Sequence, residues 1–293
     1  MKPPTHSQPA AATPSRLLAP FPCRLRRSRG FCLRLLAACL PFFLAAGALR
    51  ATRITVAAAS DLKFALPEVA AQYEKQTGNQ VSITYGSSGN FYAQIQNGAP
   101  FDLFFSADMN YPRQLEAAGL AEPGTLYLYG VGRLVLWVPA NSPVDVARRG
   151  WDALLDPAIR KIAIANPRHA PYGRAAVAAL KSAGIYGQVE AKLVYGENIS
   201  QAAQFVESGN ADAGLLALAL ALSPHLREAG KFWSVPAGAH PLLEQAVIVL
   251  KSSHNREAAR AFLEFVKSPA GRALLAKHGF SFLAQAAPPA KTP

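Results

Sequence analysis

Cysteine is missing from most of this chain. The 293 residues contain three, Cys23, Cys32 and Cys39, so everything from residue 40 onward can form no disulfide, no thiolate metal site and no cysteine nucleophile. The six histidines (His6, His169, His225, His240, His254 and His278) include no pair at a metal-ligand spacing such as H-x-x-x-H. Neither G-x-x-x-x-G-K-[ST] nor G-x-G-x-x-G occurs, which removes the two familiar nucleotide loops. Gly86-Ser87-Ser88-Gly89 is one residue short of G-x-S-x-G for either serine, so a nucleophile elbow has no support. Acidic charge is scarce too, with 18 Asp and Glu against 30 Lys and Arg. That imbalance does not imply a nucleic-acid partner. Residues 1–48 hold seven of the basic side chains and no acidic one, leaving 23 against 18 with no basic block among them.

What is present first is an export signal. An arginine-rich stretch precedes the apolar run Leu35–Ala48 (LLAACLPFFLAAGA), which ends in the small-x-small triplet Ala46-Gly47-Ala48. A positive segment, about a dozen apolar residues and an A-x-A site form the secretory arrangement. The run is short for a membrane span and is broken by Pro41. Residues 1–48 are therefore expected to be a signal peptide cleaved near Ala48, and the product periplasmic. Leu36-Ala37-Ala38-Cys39 also fits a lipoprotein box, which leaves an anchor through Cys39 as the alternative.

Beyond residue 53 the chain alternates strand-like and helix-like patterns, the mark of α/β folding with largely parallel strands. Strands are expected at Ile54–Ala58, Val81–Tyr85, Phe101–Ser106, Arg133–Pro139, Lys161–Ala165, Leu193–Tyr195 and Gln245–Leu250. A helix is predicted from Asp61 to about Gln76, stopped by Gly78, and another is predicted to open at Ala107-Asp108. Gly214–Leu222 reads equally as strand or buried helix. Arg256–Lys267 and Pro269–His278 read as amphipathic helices, and the proline-bearing end from Ala284 as a disordered tail.

The residues that could carry chemistry lie at strand-to-helix junctions: Ser60-Asp61, Gly86-Ser-Ser-Gly-Asn90, Ser106-Ala-Asp108, Ala170-Pro-Tyr-Gly173 and Glu197-Asn-Ile-Ser200. Each is small and polar, and each opens a helix whose first N–H groups lack partners and favour an anion. Singly, Ser60, Ser88, Asn198 and Asp108 read as ordinary N-caps, Tyr172 as a surface aromatic and Ile199 as core. Several such ends converging outside the carboxyl ends of strands make an uncharged oxyanion cradle.

At these junctions the sequence resembles the periplasmic molybdate-binding protein family, the solute receptors of molybdate ABC importers. The likeness runs over about residues 53–283. It is carried by Val56-Ala-Ala-Ala-Ser-Asp-Leu62, Tyr85-Gly-Ser-Ser-Gly89, Gly98-Ala-Pro-Phe-Asp-Leu-Phe-Phe-Ser-Ala-Asp108, Ala165-Asn-Pro-Arg-His-Ala-Pro-Tyr-Gly173 and Gly196-Glu-Asn-Ile-Ser-Gln201. The resemblance implies an α/β, type II periplasmic-binding-protein fold, with two lobes joined by two crossover strands and the ligand in the cleft. Lobe one would be residues 49–132 plus 245–283, lobe two 133–244, and 284–293 the tail. It further implies that Ser60 and Ser88 donate hydroxyl and backbone N–H bonds, that Ala107 lines the site through its backbone, and that Tyr172 and Ile199 contribute from lobe two, Ile199 through its N–H. Some relatives supply a tyrosine hydroxyl where Ala217 stands, and Tyr172 is the expected substitute.

The function so implied is an exported receptor for molybdate or tungstate that works with an inner-membrane ABC permease, as a monomer, with no cofactor, no nucleic-acid partner and no catalysis. A donor-only site suits fully deprotonated dianions, whereas phosphate still carries a proton and needs an acceptor. Asp61 is therefore expected to point away, as a first-turn helix acid; facing the cleft, it would admit phosphate. Two rivals differ in kind: a receptor for sulfate or phosphate on the same fold, and an exported hydrolase using Ser88 with His169 or another histidine as base.

Overall fold

The first strand forms where the β-branched run Ile54-Thr55-Val56 leads into three alanines small enough to be covered on both faces. The computed structural model describes residues 51–282, and the signal peptide, the Cys39 box and the tail from residue 284 lie outside them. The order opens with β1 (Arg53–Ala59), a 3-10 turn (Ser60–Lys63), α1 (Ala65–Thr77), β2 (Gln80–Gly86), α2 (Ser88–Gln96), β3 (Leu103–Ser106), α3 (Asn110–Ala117) and β4 (Tyr127–Gly132). Next come β5 (Leu134–Pro139), α4 (Val146–Arg149), β6 (Ile162–Ala165), α5 (Pro171–Ser182), α6 (Tyr186–Val189), β7 (Leu193–Gly196) and α7 (Ile199–Glu207). The chain continues with β8 (Ala213–Ala217), α8 (Leu218–Ala221), α9 (Pro224–Ala229), β9 (Gly230–Ser234), β10 (Leu243–Val249), α10 (Arg256–Lys267) and α11 (Pro269–Lys277).

The strands divide into two five-stranded sheets, ordered β2-β1-β3-β10-β4 and β7-β6-β8-β5-β9. In the first, β1 runs parallel to β2 and β3, while β10 is antiparallel to β3 and β4. The second repeats the plan, with β6 parallel to β7 and β8 and β5 antiparallel to β8 and β9. The chain leaves the first sheet after Gly132, enters the second at Leu134, and returns through residues 235–242 to β10. This is the two-lobed α/β architecture. The helices α10 and α11 pack on α1, so the end of the described chain completes the lobe that its beginning founds.

Each lobe has its own core. Leu66, Val69 and Tyr73 of α1 meet Phe262, Leu263 and Val266 of α10 over the first sheet, with Tyr73 edge-on to Phe262 at 5.1 Å. Trp137, Leu136, Ile164 and Leu180 anchor the second core. Ala59 and Ala107, which end β1 and follow β3, belong to that second cluster, so the lobes touch through small residues at the mouth of the cleft.

Several expectations hold and some change. Gly78 caps α1 at φ +73°, donating its N–H to Glu74. The ambiguous stretch from Gly214 is both things in turn, β8 and then α8. The predicted helix from Asp61 is divided: a 3-10 turn carries Ser60–Lys63, and α1 begins only at Ala65. Likewise α3 opens at Asn110, after Asp108 has accepted a bond from the Tyr111 N–H at 3.1 Å. Strand β4 carries no expectation because its glycines break the apolar pattern. Gly132 is required there, since a Cβ would lie 2.3 Å from the Tyr172 hydroxyl and 2.4 Å from the Gln245 amide nitrogen.

Candidate functional site

The carboxyl ends of β1, β2, β3, β6 and β7 deliver the five junctions to one place between the lobes. They enclose a small cavity, about 200 Å³ of empty space, lined by Ser60, Asp61, Ser88, Ala107, Tyr172 and Ile199 among others. The enclosed part of that space is far smaller than the roughly 300–1,000 Å³ pockets usual for organic ligands. No lysine or arginine lines it.

Ser88 is the first residue of α2 and Ile199 the first of α7; in α5 Pro171 comes first and has no N–H, so Tyr172 offers that helix's first donor. None of these three N–H groups has an intrahelical acceptor by position, and no described residue accepts from them. Three helix starts from two lobes thus present backbone donors, with the positive ends of three dipoles behind them. The Ser88 hydroxyl joins them. Its oxygen accepts from the Ala107 N–H at 2.9 Å, which leaves its proton free to be donated, and no described residue takes it. Ala107 therefore lines the cavity as expected, but its N–H acts through Ser88.

Ser60 opens the 3-10 turn and binds across the cleft. Its hydroxyl donates to Asn198 Oδ1 at 3.1 Å, and so does not offer its proton to the cavity as expected; it accepts from the Ser200 N–H at 3.3 Å, while its carbonyl accepts from the Ser200 hydroxyl at 2.8 Å. Asn198 at the same time caps α7 by accepting from the Gln201 N–H. Further bridges between lobes link Asn90 to Glu197 at 2.6 Å, Gly89 N–H to the His169 carbonyl at 2.9 Å, and Arg174 to Asp108. The two jaws are drawn together over the cavity.

Asp61 departs from expectation. It does not point outward; it lines the cavity, is fully buried, and its Oδ2 accepts from the Gln245 amide at 2.7 Å while Oδ1 has no hydrogen-bond partner. The tight 3-10 turn, in place of a regular first helical turn, directs the carboxyl inward toward β10. Burial raises its pKa from 3.8 to about 6, opposed more weakly by Gln245, Tyr172 and the nearby N–H groups of Asp61 and Leu62. The Tyr172 hydroxyl turns the same way, accepting from Gln245 at 3.1 Å and interacting with the Asp61 carboxyl. Gln245 in turn accepts from the Tyr129 hydroxyl at 2.6 Å, and burial holds both phenols neutral, well above their ordinary range. The expected donor role of the Tyr172 hydroxyl thus competes with these partners, whereas its N–H faces no such competition. Ala217 does not line the cavity.

The hydrolase pairing is not formed. Ser88 is tied to Ala107, and His169 Nδ1 lies instead 2.8 Å from Ser87 Oγ. Ser87 gives its one proton to the His169 carbonyl at 2.8 Å, so satisfying both contacts makes Nδ1 a donor to Ser87 and not a base. Among the described residues no cluster of His, Cys, Asp or Glu suited to a metal ion occurs, and no helix is long and apolar enough to cross a membrane. Ser87, Asn198 and Gln245 were missed as neighbours of the site. Ser87 and Asn198 sit inside quoted motifs, but Gln245 lies in a buried strand more than 180 residues from Asp61 with no local signal.

The model of the family described as bacterial extracellular solute-binding protein matches residues 54–281. The chain belongs to this family. Among similar members, the molybdate-binding protein ModA of Rhodobacter capsulatus is 36% identical over 230 residues, 78% of this chain and 88% of that protein. Azotobacter vinelandii ModA is 36% identical over 250 residues, covering 85% and 98% respectively. The solved structure of the Azotobacter vinelandii periplasmic molybdate-binding protein superposes with a TM-score of 0.74 at 35% identity, over 79% of this chain and all of that one. The chain therefore shares its fold with that solved molybdate-binding protein.

Proposed function

We propose that this protein is an exported receptor that closes its lobes over molybdate, or its congener tungstate, and delivers it to an ABC importer in the inner membrane. The observation that carries this reading is that three helix starts whose first N–H groups have no acceptor, at Ser88, Tyr172 and Ile199, line one small cavity together with the Ser88 hydroxyl and without a cationic side chain. Such donors meet the oxygens of a tetrahedral anion, and none is a ligand of the metal within it. The relatives named for molybdate binding span nearly the whole described chain, which supports the same ligand. Ser60 ties the first lobe to the second through Asn198 and Ser200, and Ala107 occupies the Ser88 oxygen while leaving its proton free for the anion.

In this reading the protein works in the periplasm as a monomer, performs no chemistry, needs no cofactor, and has the anion and the permease as its partners. The test is calorimetric titration of the mature protein with molybdate, tungstate, sulfate and phosphate in turn. One-to-one binding of the first two without competition from the others is expected. Equal binding of sulfate, or of phosphate, whose proton an ionised Asp61 could accept, would reassign the ligand while leaving an oxyanion receptor, and no heat from any of the four would overturn the reading.

A further inference from the structure

Asp61 is an anomaly in an anion site. An ionised carboxylate against the cavity would repel a dianion held by neutral donors, and no cation offsets it: the side chains that act on it are Gln245 and Tyr172. The neighbouring elements bring no compensating charge. Tyr172 comes from α5 and Tyr129 from β4, both neutral, and Asp108 lies beyond, paired with Arg174. The α8 segment has no titratable residue and β2 only Tyr85, while Glu207 of α7 pairs with His225. On its own stretch of chain, Lys63 is exposed and Glu68 pairs with Lys277 and His278.

The two carboxyl oxygens are also unequal. Oδ2 accepts from the Gln245 NH₂, while the Gln245 carbonyl oxygen accepts from the Tyr129 hydroxyl. Oδ1 is buried without a hydrogen-bond partner, on a residue that lines the cavity. A carboxylic acid with its proton on Oδ1 satisfies both: Oδ2 remains the acceptor for Gln245, and Oδ1–H becomes one more donor for the cradle.

We propose that Asp61 enters the anion site protonated, so that this receptor takes up one proton from solvent with each oxyanion it binds and Oδ1–H donates to the anion. The proposal rests on the oxyanion-receptor reading. Its chemistry is a protonation only: solvent supplies the proton, Oδ1 receives it, and release of the anion returns it. Gln245 acts as a positioning residue, reserving Oδ2 so that the proton resides on Oδ1. Before binding the group is largely ionised at pH 8, because its pKa is about 6, and the arriving dianion favours the neutral acid.

The experiment is titration of the mature protein with sodium molybdate between pH 6 and pH 8.5, in pairs of buffers with different ionisation heats, so that the buffer dependence counts protons. At pH 8 close to one proton taken up per molybdate is expected, with affinity falling about tenfold per pH unit above pH 7. Asp61→Asn, which keeps the shape and places an NH₂ donor where the acid stood, should bind without proton uptake, independently of pH, and at least tenfold more tightly than wild type at pH 8.5. Binding by the wild type with no proton uptake at pH 8 overturns the proposal and leaves the receptor reading intact. Proton uptake that persists in Asp61→Asn also overturns it, since another group then takes the proton. Absence of molybdate binding to the wild type at every pH is a different outcome and defeats the receptor reading itself.

Discussion

Ser88 and Asp61 show how one side chain gains its role from a neighbour's constraint. The Ala107 N–H occupies the Ser88 oxygen, so the hydroxyl can only donate into the cleft. Removing it by Ser88→Ala deletes a charge-assisted bond and leaves the Ala107 N–H without its acceptor. Such bonds contribute about 1.5–3 kcal/mol, so molybdate affinity should fall about 10- to 100-fold in calorimetry. Asp61 carries a stability cost as well. Its pKa is raised on folding, so the native state binds the proton more tightly than the unfolded chain, and the stability linked to it is complete near pH 4 and lost as pH rises through 6. A rise from 3.8 to about 6 corresponds to about 3 kcal/mol. Anion-free Asp61→Asn should therefore melt several degrees above wild type at pH 8, with the gap closing as pH approaches 4. Equal melting temperatures at both pH values would place no ionised carboxyl in the interior.

At the scale of elements, the helix openings decide both the fold and the site. Asn198 caps α7 and accepts the Ser60 hydroxyl with the same oxygen. Asn198→Ala is expected to cost about 1 kcal/mol in chemical denaturation, the usual size for a lost N-cap, and to weaken anion binding in addition because Ser60 loses its partner across the cleft. Much of this level was legible in the sequence. Parallel strands buried on both faces read as apolar runs, and the junction residues Ser60, Ser88, Ala107, Tyr172 and Ile199 all line the cavity. The parts that were not legible depend on distant pairing. β4 is interrupted by glycines, and the reason for Gly132, the phenol of Tyr172 and the amide of Gln245, comes from other elements. The orientation of Asp61 could not be read from a helix periodicity, because a 3-10 turn replaces the first turn and the partner that holds the carboxyl is on β10.

At the scale of the whole molecule, closure is the functional coordinate, and beside the small apolar contact of Ala59 and Ala107 the jaws are joined by polar, partly solvated bonds suited to reversal. Ser60 with Asn198 and Ser200, Asn90 with Glu197, Gly89 with His169, and Asp108 with Arg174 all join segments of different sheets. Interactions of this kind bias an equilibrium between open and closed lobes without locking it, and an anion that bonds to donors from both lobes shifts the balance toward closure. Gly89 tests this geometry directly. A Cβ there would stand 2.6 Å from the His169 carbonyl oxygen, on the opposing jaw, and 2.6 Å from the Tyr111 hydroxyl. The tyrosine can swing aside, but the backbone carbonyl cannot, so Gly89→Ala obstructs closure while leaving each core untouched. The variant should unfold within about 1 kcal/mol of wild type when no anion is present. In small-angle scattering, wild type should contract on adding molybdate and Gly89→Ala should contract less, with a faster anion off-rate. Full contraction with unchanged kinetics in Gly89→Ala would mean that the lobes meet differently from the arrangement described here.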